Sequence, residues 1–388
     1  MDRDSGGAPL HTSRGKGPVS LAGINRSRRP LLRRWLVLAI TAVVFLLAAW
    51  GLPRVIGAEV GWNTAAIATA VSLIPLGIVV PAFMWLDAYE AEPTRFLVLG
   101  FAWGAVIATA TALVLNTGSM LILAATVADP EAVTAVMVAP VVEESLKGLG
   151  LLFILFLRRE EFDGVIDGIV YAGLIASGFA FAENILYFGR AFNEAGAEGM
   201  IAVFVVRGLV SPFAHPLFTA AIGVGIGVAV HRSSGVVRIF APLLGLVVAV
   251  GLHSAWNLSS VTGAGGFWYS YLAFQVPVFF AVIAFAVWAR RREGRLMGRY
   301  LQAYADYGWL SSAEIRMLTD LGERRTALRW ARSVNGSAGR AAMQAFQDDA
   351  IDLAMLRKRM TDGAAGPEGE QRERELLDSI QRARALLG

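Results

Sequence analysis

Glu143, Glu144 and Lys147 stand in the middle of an otherwise apolar run, Ala-Pro-Val-Val-Glu-Glu-Ser-Leu-Lys-Gly-Leu-Gly-Leu-Leu-Phe. A charge at bilayer centre costs roughly 2.5–3.5 kcal/mol, against about −0.3 to −0.6 for each Leu, Ile, Phe or Val. Three such positions cancel most of what the run's apolar residues contribute, and a plain anchoring helix has no reason to carry them. Lys147 lies four residues after Glu143 and three after Glu144, so on a helix it can pair with either. Two adjacent carboxylates in low dielectric resist ionising together, so one is expected to serve as a general base. The bland alternative is an ion-paired knot that locks helices together.

Three later apolar runs repeat the anomaly. Glu183 and Asn184 close the stretch Gly-Phe-Ala-Phe-Ala-Glu-Asn, and His253 and Asn257 sit four apart in Gly-Leu-His-Ser-Ala-Trp-Asn, on one helical face. The run at about 200–230 is too long for one straight crossing and holds Arg207, Pro212, His215 and Pro216. It is expected to be a broken helix whose irregular backbone faces a polar cavity. Packed histidines and interfacial polar pairs are the competing readings of each motif alone.

Glutamates and histidines converging in lipid suit hydrolysis. They can hold a zinc ion that acidifies a water, with Glu144, His215 and His253 as candidate ligands, or activate water directly without metal. Both routes stay open on the residues alone. Glu143, Glu144, Glu183, His215 and His253 are the candidate catalytic groups, with Lys147, Asn184, Arg207 and Asn257 in support of substrate or oxyanion. The sequence lacks His-Glu-x-x-His, Gly-x-Gly-Asp and Gly-x-Ser-Gly, and its want of cysteine excludes thiolate zinc sites, thiol nucleophiles and disulfides.

The elements that must position these groups are membrane helices. Of 388 residues 55% are hydrophobic and 17% charged, and the mean hydropathy is +0.54, which is too little polar surface for a soluble chain of this size. Apolar runs at about 35–52, 64–86, 96–116, 132–157, 163–188, 200–230, 237–257 and 267–289 predict an all-α polytopic protein of about eight spans. Segment 117–128 is either an extension of the third span or a re-entrant piece. Pro140 is expected to kink the fourth and free the carbonyl of Val136.

Residues 1–34 read as a disordered basic tail, 35–290 as the transmembrane domain, and 291–388 as a helical appendage. Amphipathic stretches at Ser311–Leu321 and Gly339–Met360, a linker at Asp362–Glu370 and a last charged helix make up that appendage. Placing both termini in the cytoplasm puts Arg95, Arg158, Arg159, Arg232 and Arg238 in inner loops and only Arg54 and Arg190 in outer ones. The candidate site then opens outward, while Asp163 and Asp167 fall near the inner boundary. The charge of +4 follows from topology, so no nucleic-acid partner is expected.

Taken in order, Glu-Glu-Ser-Leu-Lys (143–147), Phe-Ala-Phe-Ala-Glu-Asn (179–184), His-Pro-Leu-Phe (215–218) and His-Ser-Ala-Trp-Asn (253–257) resemble the motifs of the PrsW family of bacterial membrane proteases, as does Asp-Ala-Tyr-Glu-Ala-Glu-Pro (87–93). The family is related to the CAAX-type prenyl proteases. The resemblance implies a protease of the plasma membrane that cleaves a membrane-anchored protein, such as an anti-sigma factor, near the outer face. It matches Glu143 and Glu144 to essential glutamates and His253 to a catalytic histidine. Glu183 and His215 match motif positions of less settled role. The main alternative is a proton- or ion-coupled transporter using the same buried groups, for which an internal repeat is expected and none is visible. A non-catalytic sensor is the third reading.

Overall fold

The computed structural model describes residues 28–388 except 90, 91, 158–161, 163, 231–233, 362, 364, 365, 367 and 388. The tail as far as residue 27, Asp163, Arg158, Arg159, Arg232, Glu90 and part of the expected linker, Asp362 included, lie outside the described residues. Two units are distinguished, Met1–Leu47 and Ala48–Gly388. In the first, the described part is the start of helix α1 (Arg28–Val60), and Trp35, Leu36, Ile40, Leu46 and Leu47 are all exposed. Apolar side chains bared along a whole helix fit a lipid environment.

The second unit continues α1 and adds α2 (Trp62–Leu86), α3 (Thr94–Leu123, widened to a π turn at Trp103–Ala108) and α4 (Ala139–Leu157). Helix α5 (Val165–Phe204) runs through a π turn (Val205–Val210) to α6 (Ala214–Ala229), followed by α7 (Gly235–Val261) and α8 (Gly263–Asp306). Among the described residues six helical stretches are long and apolar enough to cross a membrane: those of α1, α2, α3, α7, α8 and the 65-residue stretch Val165–Ala229. The eight expected runs differ from these six in two places. Helix α4 carries Glu143, Glu144 and Lys147, which remove it by charge, and the polar connection 189–199 between the fifth and sixth runs lies within α5, helical except at Ala195–Gly196. Segment 117–123 extends α3, ending the re-entrant alternative.

Helix α5 is the axis of the second unit; 83% of the most apolar part of its stretch is buried. Small residues allow this. A Cβ on Gly168 would overlap the carbonyl oxygen of Gly223 in α6, and one on Gly223 would overlap that of Gly168, so the two backbones touch. Leu151, Ile154, Val170, Ile175 and Ile226 fill the core around this contact. Helix α5 bends at Ala195–Gly196, where Gly196 takes a positive φ of 64°.

Beyond the apolar part of α8, helices α9 (Ser312–Thr319), α10 (Leu321–Thr361) and α11 (Gly369–Ala385) build a separate core around Met297, Leu301, Phe346, Leu353 and Ile380. This core meets the rest at the connection after α2. Tyr89 donates its hydroxyl to the Thr319 carbonyl (3.0 Å), and Arg324 donates to the carbonyl of Tyr89 (2.9 Å). On the other side of the same connection, the Glu92 amide donates to Asp87 Oδ2 (2.9 Å), and Tyr171 of α5 donates to the Glu92 carboxylate. Asp87, Tyr89 and Glu92 therefore tie α2 to α5 and to the terminal helices.

Candidate active site

The start of α4 is shaped by Pro140. Ahead of it the chain widens into a π turn at Thr134–Val138, in which residue 140 would normally donate to the carbonyl of Ala135. Proline has no N–H to give. Asn257 of α7 supplies the missing donor, its Nδ2 lying 2.7 Å from that carbonyl. The freed acceptor is thus Ala135 rather than the expected Val136, and Asn257 supports the site by seating α4 against α7.

Adjacent residues on a helix point about 100° apart, so Glu143 and Glu144 face different neighbours. Glu144 is fully buried and fully engaged. Its Oε1 accepts from Lys147 Nζ (2.8 Å) and His253 Nδ1 (3.0 Å), and its Oε2 accepts from the Thr219 hydroxyl of α6 (2.8 Å). Glu143 accepts through Oε1 from Asn116 Nδ2 of α3 (3.2 Å), while its buried Oε2 has no hydrogen-bond partner. That oxygen lies 3.8 Å from both Lys147 Nζ and His253 Nε2.

His215 enters from the first turn of α6, where Pro216 is tolerated because the N–H it lacks would be unpaired there. The helix breaks over Ser211–Phe213, as the two prolines of the long run predict. Lys147 Nζ donates to His215 Nδ1 (3.2 Å), so with a neutral imidazole the proton is on Nε2, which faces Glu183 Oε2 at 2.9 Å. Glu183 also pairs with Arg207, whose Nε donates to Asn184 Oδ1 (2.7 Å). The Lys147 ammonium sits over the Phe179 ring (4.0 Å), the rings of His215 and His253 meet edge to face (5.0 Å), and Phe218 stacks on His253 (5.3 Å).

The structure thus joins eight of the nine predicted site residues in one buried network, with Asn257 beside it through the backbone. Asn116 and Thr219 are additional members that the sequence reading passed over. A single amide or hydroxyl in a membrane helix is common, and their only signal was an amide, Asn116, at the end of the apolar run Ala-Leu-Val-Leu and Thr219 one turn after His215.

One ligand atom each from Glu143, His215 and His253 falls within 4.8 Å of the others, and all three residues are buried. The nitrogen, nitrogen, oxygen set suits zinc. The unpartnered Oε2 of Glu143 and the Nε2 lone pair of His253, left free because Nδ1–H is held by Glu144, are what such an ion needs. Charge counting agrees. Three carboxylates (Glu143, Glu144, Glu183) stand against two cations (Lys147, Arg207), leaving one negative charge for a cation or proton. Beside His215 is a void of about 20 Å³ lined by Asn184, Arg207 and Ser211, polar and large enough for one water.

Helices long and apolar enough for the bilayer, enclosing a carboxylate–imidazole centre, define an integral membrane protein with a buried cluster of ionisable groups. The chain belongs to the PrsW family of intramembrane metalloproteases, whose profile matches residues 92–286. "Protease PrsW" of Geobacillus kaustophilus (strain HTA426) is 33% identical over 154 residues, covering 39% of this chain and 62% of that protein. The chain therefore spans less than two thirds of that relative's length. No solved structure matches.

Proposed function

We propose that this chain is an intramembrane endopeptidase that cleaves a membrane-anchored protein by water activated at Glu143, His215 and His253. The observation that carries the reading is Glu143 Oε2, a buried carboxylate oxygen with no hydrogen bond, 3.8 Å from both His253 Nε2 and Lys147 Nζ and grouped with His215. Isolated polar atoms in lipid are costly and persist where they have work to do.

Glu143, His215 and His253 would hold a divalent ion once Lys147 gave up His215 Nδ1, and the ion would supply Lewis acidity and an acidified water. Glu144 is a positioning residue: it fixes the His253 tautomer so that Nε2 faces the reacting centre, and holds Lys147 away from Glu143. Glu183 does the same for His215 through Nε2. Lys147 and Arg207 provide fixed positive charge for the oxyanion that develops when a peptide carbonyl is attacked. In the metal-free route Glu143, through the Oε2 that makes no hydrogen bond, takes the proton of the attacking water and returns it to the leaving amine.

Cleavage near the outer face, cytoplasmic termini, residues 291–388 as a cytoplasmic appendage and an anti-sigma factor as the type of substrate belong to this proposal. They are supported by the distribution of arginines and by the family. The test is cleavage of a single-span substrate by the purified chain in lipid nanodiscs. Glu143→Gln is expected to fold and to lose at least ~10²-fold in kcat, the lower end of general acid–base contributions. A chelator should abolish cleavage and zinc restore it. Full activity of Glu143→Gln would overturn the reading.

A further inference from the structure

Lying in lipid, the substrate must reach His215 sideways, and the packing of α8 is where it can. From Ser260 to Trp288 no side chain is buried. Polar and aromatic ties hold it at two places. At one, Tyr271 donates to the Val210 carbonyl (2.8 Å) and Gln275 to the Ser259 hydroxyl (3.2 Å). At the other, the Arg290 guanidinium lies on the Trp85 ring (3.7 Å).

Between these ties are two apolar cavities. One, of about 240 Å³, lies among the 209–218 segment, α7 and α8, with Ile78 of α2 on its wall. The other, of about 260 Å³, lies among α2, α6 and α8. Phe213, Leu217 and Phe279 line both, so the two are separated by little more than the Phe213–Phe279 contact, whose ring centres are 5.7 Å apart. The first cavity also shares Ser211, Pro212, Ala214 and Trp256 with the small polar void beside His215.

An apolar path from α8 therefore ends on a polar, water-sized space at the centre. Resting on the functional reading above, we propose that the seam between α8 and α2/α6 is the lateral portal for the substrate's apolar transmembrane segment, with Phe213 and Phe279 as its leaves. The occupant follows from continuity. Walls of Phe, Leu, Ile and Val suit an apolar stretch of peptide and no charged ligand, and the path leads to the groups that would cut it.

The chain has no cysteine, which makes a clean test. Phe213→Cys/Phe279→Cys is joined by a short bis-maleimide whose spacer contains a disulfide. The unlinked double variant should cleave a single-span substrate, linking should lower the initial rate at least ~10-fold, and reductant should restore it. Each single variant treated with the same reagent controls for bulk at one leaf. As a second readout, a photoreactive residue at Phe274 in the Glu143→Gln background should cross-link to the substrate's apolar segment, whereas one at Val247 of α7 should not. A linked enzyme that cleaves at the unlinked rate, or cross-linking at Val247 in place of Phe274, overturns the portal while leaving the protease reading intact. Should the unmodified chain cleave no membrane-anchored substrate, the protease reading fails and the portal with it.

Discussion

Replacing Glu144 by Gln separates positioning from chemistry in this site. The carboxylate makes two charge-assisted contacts, to Lys147 Nζ at 2.8 Å and His253 Nδ1 at 3.0 Å, each worth roughly 1.5–3 kcal/mol. An amide oxygen can accept from both only weakly, while its NH2 would turn toward the Thr219 hydroxyl, which also accepts. Lys147 is already 3.8 Å from Glu143 Oε2 and would swing to it, filling the one oxygen left open. The expected cost is about 2–4 kcal/mol of stability and roughly 100-fold in kcat, or about 2.7 kcal/mol of transition-state stabilisation. KM should be nearly unchanged, because no substrate contact is removed. Lys147→Met alone should cost about 3–5 kcal/mol, since it strands two buried carboxylates. Glu144→Gln/Lys147→Met should then recover much of the stability and none of the rate. Thermal unfolding in nanodiscs with single-span cleavage measures all three variants. Cleavage by Glu144→Gln within twofold of the parent, or a double variant no more stable than the sum of its singles, would refute the reasoning.

Gly168→Ala puts a methyl into the Gly223 carbonyl and should cost about 1–3 kcal/mol, read as a lower melting temperature and reduced yield of folded protein. Asn257→Leu strands the Ala135 carbonyl and should cost about 1–3 kcal/mol, with a fall in kcat because α4 loses its seat. Asp87 lies past the end of α2 with Glu92, Asp167 and Tyr171 around it, and burial pushes its carboxyl up to about 7, helped by Asp167 and opposed by the Glu92 amide. Its folded value is above the unfolded one, so the folded state holds the extra proton. The stability that Asp87 contributes is therefore full below about pH 4 and is lost as pH rises to about 7. Asp87→Asn keeps an acceptor for the Glu92 amide and should flatten that fall between about pH 4 and 7, as chemical denaturation at several pH values would reveal.

How much of this was legible in the sequence depended on the physics behind each signal. Glu143, Glu144, Lys147, His215 and His253 stood out because charge and imidazole in lipid are expensive, so their presence demanded partners. Which carboxylate faced which partner was not legible. Two neighbours on a helix differ by a rotation that only packing assigns, so Glu144 was an expected metal ligand, whereas the geometry groups Glu143 with the histidines. Asn116 and Thr219 stayed hidden because one hydroxyl or amide in a span costs little. The break at 211–213 followed from its prolines. The bend at Ala195–Gly196 did not, since one Gly in a polar connection reads as a loop.

The same packing logic separates the rigid parts of the site from the mobile ones. The proposed hydrolysis would need Glu143, His215 and His253 held to a fraction of an ångström, and α5, with its backbone touching α6 at Gly168 and Gly223, gives the bundle a closely packed axis. Helix α8 has the opposite character over Ser260–Trp288, yet past Trp288 it buries Met297 and Leu301 in the terminal core. One continuous helix thus runs from the loosest-packed edge of the centre into a core that is latched to the α2–α3 connection through Tyr89. Displacing the terminal helices is therefore expected to displace α8 more than α4 to α7. Tyr89→Phe, which removes only the donor to Thr319, should therefore alter the rate of substrate admission and leave zinc affinity unchanged. A change in both would mean that the terminal core braces the catalytic helices themselves.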